Sequence, residues 1–171
     1  TITEIKTHKE MWPTINQLSK KYGPKNVWVV WDIDDCVTYP LHPACLPISY
    51  AKKHKDIFKE MTKQLTPTQL SIVWNLKYRE PENALTDENL PQMLNELQSM
   101  GIPTMGLTAS MAGAVKDKED IQHAYRYERL KTLGVQFSFP INEDEIHFEH
   151  FPKFHRSHPV YYKGIAFSQS S

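Results

Sequence analysis

The chain has little that would tie it to nucleic acid, a membrane or a disulfide scaffold. Its 20 Lys and Arg balance its 20 Asp and Glu, leaving a formal net charge of zero. A dedicated nucleic-acid surface usually carries a basic excess, which is missing here. Lys52, Lys53, Lys55 and Lys59 do cluster, but they read as the wet face of a helix. No run approaches the ~18 apolar residues that span a bilayer, and no signal peptide is visible. The expectation is a soluble protein, either cytoplasmic or exported after removal of a leader, since the chain begins at Thr1 and not at Met. Cysteine is scarce: Cys36 and Cys45 are the only two. Their spacing fits no zinc pattern, and whether they pair depends on the compartment. Repeats and low-complexity tracts are absent, and 171 residues suit one domain with an adequate core.

What is present is a pair of carboxylates. In Val27-Trp28-Val29-Val30-Trp31-Asp32-Ile33-Asp34-Asp35-Cys36-Val37, five consecutive apolar residues read as a strand buried on both faces, and Asp32 and Asp34 stand where it stops. Residues i and i+2 of an extended chain point the same way, so persistence of the strand geometry puts both carboxylates in one small volume. One can attack a phosphorus atom while its neighbour handles protons. Two negative charges facing a phosphate call for a cation, and oxygen ligands of this kind suit Mg²⁺.

The run Asp32-Ile33-Asp34-Asp35-Cys36-Val37 after an apolar strand resembles the first motif of the haloacid dehalogenase-like (HAD) superfamily of aspartate-nucleophile phosphatases. The resemblance implies that Asp32 is the nucleophile and a metal ligand. Asp34 would be the general acid/base, its backbone carbonyl a second metal contact. Asp35 receives no role. Gly101-Ile102-Pro103-Thr104-Met105-Gly106-Leu107-Thr108-Ala109-Ser110 is similar to the second motif, a short apolar strand ending in Thr or Ser. The Thr108 hydroxyl and the Ala109 backbone N–H would then bind the phosphoryl oxygens, where charge builds during transfer. A helix over Pro91–Met100, with Met93, Leu94 and Leu97 on one face and Gly101 as its stop, is expected before that strand.

The third and fourth motifs, a lysine and a strand ending in acidic residues, have no counterpart. Asn142-Glu143-Asp144-Glu145 follows Phe139-Pro140 and reads as a solvated turn. Lys163 begins a strand-like segment instead of following one, and reads as a solvated flanking charge. The expectation is a chain truncated before these motifs, from a bacterial branch of the superfamily.

Between the motifs lies an insert, with a Pro-rich entry and then helical material. Ile57, Phe58, Met61 and Leu65 recur at helical spacing, and Thr66-Pro67 restarts a second helix carrying Leu70, Val73, Trp74 and Leu76. By resemblance this is a small helical cap over residues 39–86, flanked by a core of residues 1–38 and 87–171. Tyr39, His42, Tyr50 and Lys52 are candidate substrate contacts within it. Ile15, Leu18 and Tyr22 are expected on one face of an opening helix. Asp117–Leu133 reads as a helix with Ile121, Ala124, Tyr127 and Leu130, and Val135–Phe139 as the next strand. The fold expected is α/β: a Rossmann-like parallel sheet with crossover helices and a helical cap insert.

Other readings fare less well. His147, His150, His155 and His158 resemble a metal loop, but their pairs are spaced by three, Pro152 interrupts, and a polar aromatic loop is the plainer account. A calcium loop needs Gly and Glu where Val37 and Pro43 stand. A glycosyltransferase Asp-x-Asp would need several βα units before it, and only 31 residues precede Asp32. A purely structural role, with one carboxylate capping a helix and the other solvated, is the residual possibility. The function expected is Mg²⁺-dependent hydrolysis of a small phosphate monoester. The alternative is a non-catalytic HAD-fold domain that binds phosphate or a protein and lacks the last two motifs.

Overall fold

In a computed structural model of the protein, the described residues are 2–42, 45, 55–115, 121–153 and 157–168. Helix α1 (Trp12–Tyr22) has Pro13 at its start, where a missing N–H costs nothing, and ends at Gly23, whose φ of 84° suits glycine. Strand β1 (Val29–Asp32) follows, then β2 (Thr38–Pro40) and the insert helices α2 (Lys55–Thr62) and α3 (Pro67–Arg79). Helix α3 starts where Thr66-Pro67 predicts. The Gln69 N–H donates to the Thr66 hydroxyl at 3.3 Å, and the Thr66 N–H donates to the Gln69 side chain at 2.9 Å. Strand β3 (Asn83–Leu85) closes the insert, pairing antiparallel with β2 as a two-stranded ribbon. Then come α4 (Leu90–Ser99), β4 (Thr104–Thr108), α5 (Gln122–Thr132), β5 (Glu145–His147), β6 (Val160–Tyr162) and β7 (Ile165–Phe167).

The main sheet runs β1-β4-β7-β6-β5. Its first two pairings, β1 with β4 and β4 with β7, are parallel, and the last two are antiparallel. This is a mixed α/β architecture whose parallel part carries the two motifs. Helix α4 has Leu90, Met93, Leu94 and Leu97 buried, as its spacing predicts. They join Ile15, Val29, Trp31, Ile33, Leu130, Ile165 and Phe167 in one continuous core. Among the described residues no helix is long and apolar enough to cross a membrane.

Several expectations are corrected. Strand β1 is buried on one face only: Val29 and Trp31 lie inside, whereas Trp28 is 59 % and Val30 43 % exposed. The described core packs α1, α4 and α5 against a single face, so the strand alternates where a doubly covered one would not. Helix α1 buries Ile15 and Ser19, and leaves Leu18 and Tyr22 exposed. Helix α5 turns Gln122, His123, Arg126 and Leu130 inward, a face rotated from the expected apolar one. Val135–Phe139 forms no strand. The Ser138 N–H donates to the Thr104 side chain at 2.8 Å, and the ladder position beside β4 is taken by β7. Lys163-Gly164 form the two-residue turn of the β6–β7 hairpin, both with positive φ (44° and 87°). Lys163 thus follows a strand instead of beginning one, and it is half-buried, 3.8 Å from Asp144 with its Nζ 5.2 Å and 5.5 Å from the Tyr127 and Tyr162 ring centres.

Candidate active site

The site lies where two parallel strands stop. Asp32 ends β1 and is paired with Leu107 in β4, one residue before Thr108. The pairing continues past Asp32, because the Ile33 N–H donates to the Leu107 carbonyl at 3.0 Å. The ladder therefore reaches one residue past Asp32, and Asp34 stands in an isolated bridge with Thr38. Ile33 is fully buried between an exposed Asp32 and a half-buried Asp34. The chain then turns back sharply at Asp35, whose φ of 64° lies in the left-handed region. The N–H groups of Val37 and Thr38 both donate to the Ile33 carbonyl, each at 3.0 Å.

The structure brings the second carboxylate and the second motif together. The Thr108 hydroxyl donates to Asp34 Oδ2 at 2.8 Å and accepts from the Ser110 N–H at 2.9 Å. Thr108 is only 1 % exposed, so its hydroxyl holds the loop and Asp34, not an open phosphate subsite. Ala109 is exposed at the loop's crest. The other oxygen of Asp34 is taken by Arg126 of α5, a buried guanidinium in direct ion pairing with Oδ1. Asp32 is freer, its carboxylate accepting from the Cys36 thiol at 3.7 Å. Burial and the neighbouring charge of Asp34 push the Asp32 carboxyl above the usual carboxylate range. Burial likewise pushes the Cys36 thiol up, and both Cys36 and Cys45 are free cysteines.

The insert helix supplies side chains that sequence spacing does not reveal. The Tyr78 hydroxyl donates to Asp35 Oδ2 at 2.9 Å, and Lys77 Nζ lies 3.1 Å from the same hydroxyl. Lys77 is 8 % exposed. Burial pushes its ammonium pKa down, against the opposing pull of Asp35 and Asp34. Asn75 Oδ1 accepts from the Ser110 hydroxyl at 2.6 Å and from the Met111 N–H at 3.1 Å, pinning the loop after Thr108. On α5 the inward face carries Gln122 and Arg126 one helical turn apart, in line with Leu130, and polar residues so placed give no signal of burial in the sequence.

Asp32 suits a hard cation, having an exposed carboxylate. Asp34 offers only its backbone carbonyl, because Thr108 and Arg126 occupy both side-chain oxygens. That is a small donor set, compatible with Mg²⁺, which keeps several waters of its own. Among the described residues no group of three or more His, Cys, Asp or Glu is arranged to hold a metal ion. In the histidine loop, His147 Nε2 lies 2.6 Å from Glu145, and His158 Nδ1 lies 2.8 Å from the Phe151 carbonyl. His155 lies outside the described residues, as do Tyr50 and Lys52 of the insert. Of the other two candidate substrate contacts, Tyr39 is half-buried in the β2–β3 ribbon and His42 is exposed just beyond it.

Fold and site together define a mixed α/β protein with paired carboxylates at the end of a parallel strand. The chain belongs to the family described as Protein of unknown function (DUF2608), whose model matches residues 4–171. It is 26 % identical over 163 residues to an uncharacterized protein of Rickettsia bellii (strain RML369-C), a match covering 88 % of this chain and 52 % of that protein. The chain therefore spans about half the length of the curated relative it matches. No solved structure matches it.

Proposed function

We propose that this chain is the core and cap of a HAD-like phosphate monoester hydrolase acting through an aspartyl-phosphate on Asp32. The reading is carried by one observation, the hydrogen bond from Thr108 to Asp34, which joins the two motif segments at the ends of neighbouring parallel strands. Catalytic groups of parallel α/β sheets gather at such strand ends. The insert of residues 39–86 springs from the turn directly after Asp34, where a substrate-covering cap belongs.

In the proposed reaction an Asp32 carboxylate oxygen attacks phosphorus, and the bond from phosphorus to the leaving oxygen breaks. Asp34 gives that oxygen a proton, then takes one from the water that attacks the aspartyl-phosphate, releasing inorganic phosphate and restoring Asp32. To do so, Asp34 must loosen its contact with Thr108 or Arg126. A bound Mg²⁺, held by the Asp32 carboxylate and the Asp34 carbonyl, would screen the like charges of nucleophile and substrate. The full engagement of Asp34 favours a second reading, a domain that binds phosphate without turning it over.

The test is hydrolysis of p-nitrophenyl phosphate by the purified full-length protein with and without Mg²⁺. Mg²⁺-dependent release that disappears in Asp32→Asn supports the hydrolase. Release that survives this substitution sinks the mechanism, and phosphate binding without release selects the second reading.

A further inference from the structure

Arg126 is 4 % exposed, and its guanidinium is spent on two neighbours, Asp34 and Tyr78. It ion-pairs with Asp34 Oδ1. Its Nη1 reaches the Tyr78 carbonyl at 3.5 Å, and the guanidinium carbon lies 5.8 Å from the Tyr78 ring centre. Its Nε–H, however, is buried and has no hydrogen-bond partner among the described residues. An orphaned donor on a buried charged group costs on the order of 1–3 kcal/mol or more, so such groups are rare.

A second orphan belongs to another residue that lines the same crevice. Asn83, on strand β3 at the base of the insert, donates from its amide nitrogen to the carbonyls of Tyr78 at 3.0 Å and Pro81 at 3.1 Å. Its Oδ1 is buried and has no hydrogen-bond partner among the described residues. Arg126 and Asn83 line one crevice, together with Thr38, Tyr78 and Arg129. The crevice offers a water centre about 10 Å³ to occupy, close to the lower limit for one water molecule. One missing donor partner, one missing acceptor partner and room for one water match in number and chemistry.

We propose that a single internal water accepts from Arg126 Nε and donates to Asn83 Oδ1, and that Arg126, so held, is the positioning residue of Asp34. The base of the insert then sets where the second carboxylate points. Tyr78 reinforces the link, since its hydroxyl holds Asp35 while its carbonyl receives both Arg126 and Asn83. The kinetic side of this proposal rests on the hydrolase reading; the water and the carboxylate's orientation do not.

A crystal structure of the full-length protein tests the water directly. A water within about 2.6–3.2 Å of both atoms is the expected result; a dry crevice or a direct Arg126–Asn83 contact overturns the proposal. For the positioning role, Arg126→Gln should lower kcat about 100-fold, as a misplaced catalytic group does, with KM changed less than about threefold. Arg126→Lys should recover part of that loss. Unchanged kcat, or a loss confined to KM, overturns the role. If Arg126→Gln does not fold, Asn83→Ala reports instead, with a smaller fall in kcat of about 3- to 10-fold expected and no fall overturning the link. If the wild-type protein turns over no phosphate ester, the hydrolase reading falls alone. The crystal structure of Arg126→Lys then decides: Asp34 displaced from Thr108 supports the positioning role, and Asp34 unmoved overturns it.

Discussion

Thr108 and Asp34 are 74 positions apart in sequence, and the threonine hydroxyl meets the carboxylate at 2.8 Å. One hydroxyl thereby serves three pieces of chain: the strand it ends, the loop whose Ser110 N–H it accepts, and the carboxylate of the preceding motif. Removing it should be costly out of proportion to its size.

Thr108→Val keeps the shape and leaves both an Asp34 oxygen and the Ser110 N–H without this partner. A loss of about 1–3 kcal/mol is expected, whereas Thr108→Ser, which keeps the hydroxyl, should stay within about 1 kcal/mol. Urea unfolding with an unchanged m value checks both.

Asp34→Asn separates the two halves of the proposed reaction. A nitrophenolate leaving group needs little protonation, so transfer to Asp32 should survive better than attack by water. Rapid mixing should show a burst approaching one nitrophenolate per protein, followed by turnover slowed about 10²- to 10⁴-fold. A uniform slowing without a burst would mean that Asp34 does not activate the water.

Gly106→Ala tests how tightly the strand ends are packed. An added Cβ would stand 2.7 Å from Phe137 Cε2 and 3.0 Å from Ile33 Cδ1. Overpacking of this kind costs about 1–3 kcal/mol. Ile33 separates the two site carboxylates, so a shift there should reduce kcat as well as the melting temperature, both measurable on one sample.

His123 should make stability depend on pH. Burial holds its pKa below the ordinary 6.5, with Glu145 pulling the other way. Its Nδ1 accepts from the Gly113 N–H at 3.2 Å, so a second ring proton would displace that bond. As pH falls, the unfolded chain takes up its proton first, near 6.5, and the folded state only later. Stability is therefore full above 6.5 and declines as pH drops toward the lowered folded value. His123→Asn keeps an oxygen toward Gly113 and cannot titrate in this range. It should flatten the slope of unfolding free energy between about pH 8 and 5. It should not abolish the slope, because burial lowers the His8 pKa too.

The strand and helices that announce themselves by local pattern were legible in the sequence. Helix α4 buries the leucines its spacing picks out, α3 starts at Thr66-Pro67, and the Asp-x-Asp step sits where β1 ends. What the pattern missed depends on long-range pairing. Val135–Phe139 has strand composition, but β7 holds the place beside β4, and Phe137 fills the space over Gly106 instead. Arg126 was illegible because an arginine on a helix ordinarily means solvent. Only the fold pairs it with a carboxylate 92 residues away in sequence. The apolar reading of β1 overstated its burial, because five apolar residues in a row do not say how many layers cover them.

The β2–β3 ribbon has a mechanical consequence. The insert leaves and re-enters the core through strands zipped together over Thr38–Leu85, Tyr39–Ala84 and Pro40–Asn83. Leu41 extends this pairing by donating to the Glu82 carbonyl at 2.8 Å, and Thr86 by donating to the Val37 carbonyl at 3.0 Å. Both ends of the insert are therefore fastened at one place, just past the turn at Asp35. A change that unzips the ribbon would act first on the stretch of backbone that carries Asp34.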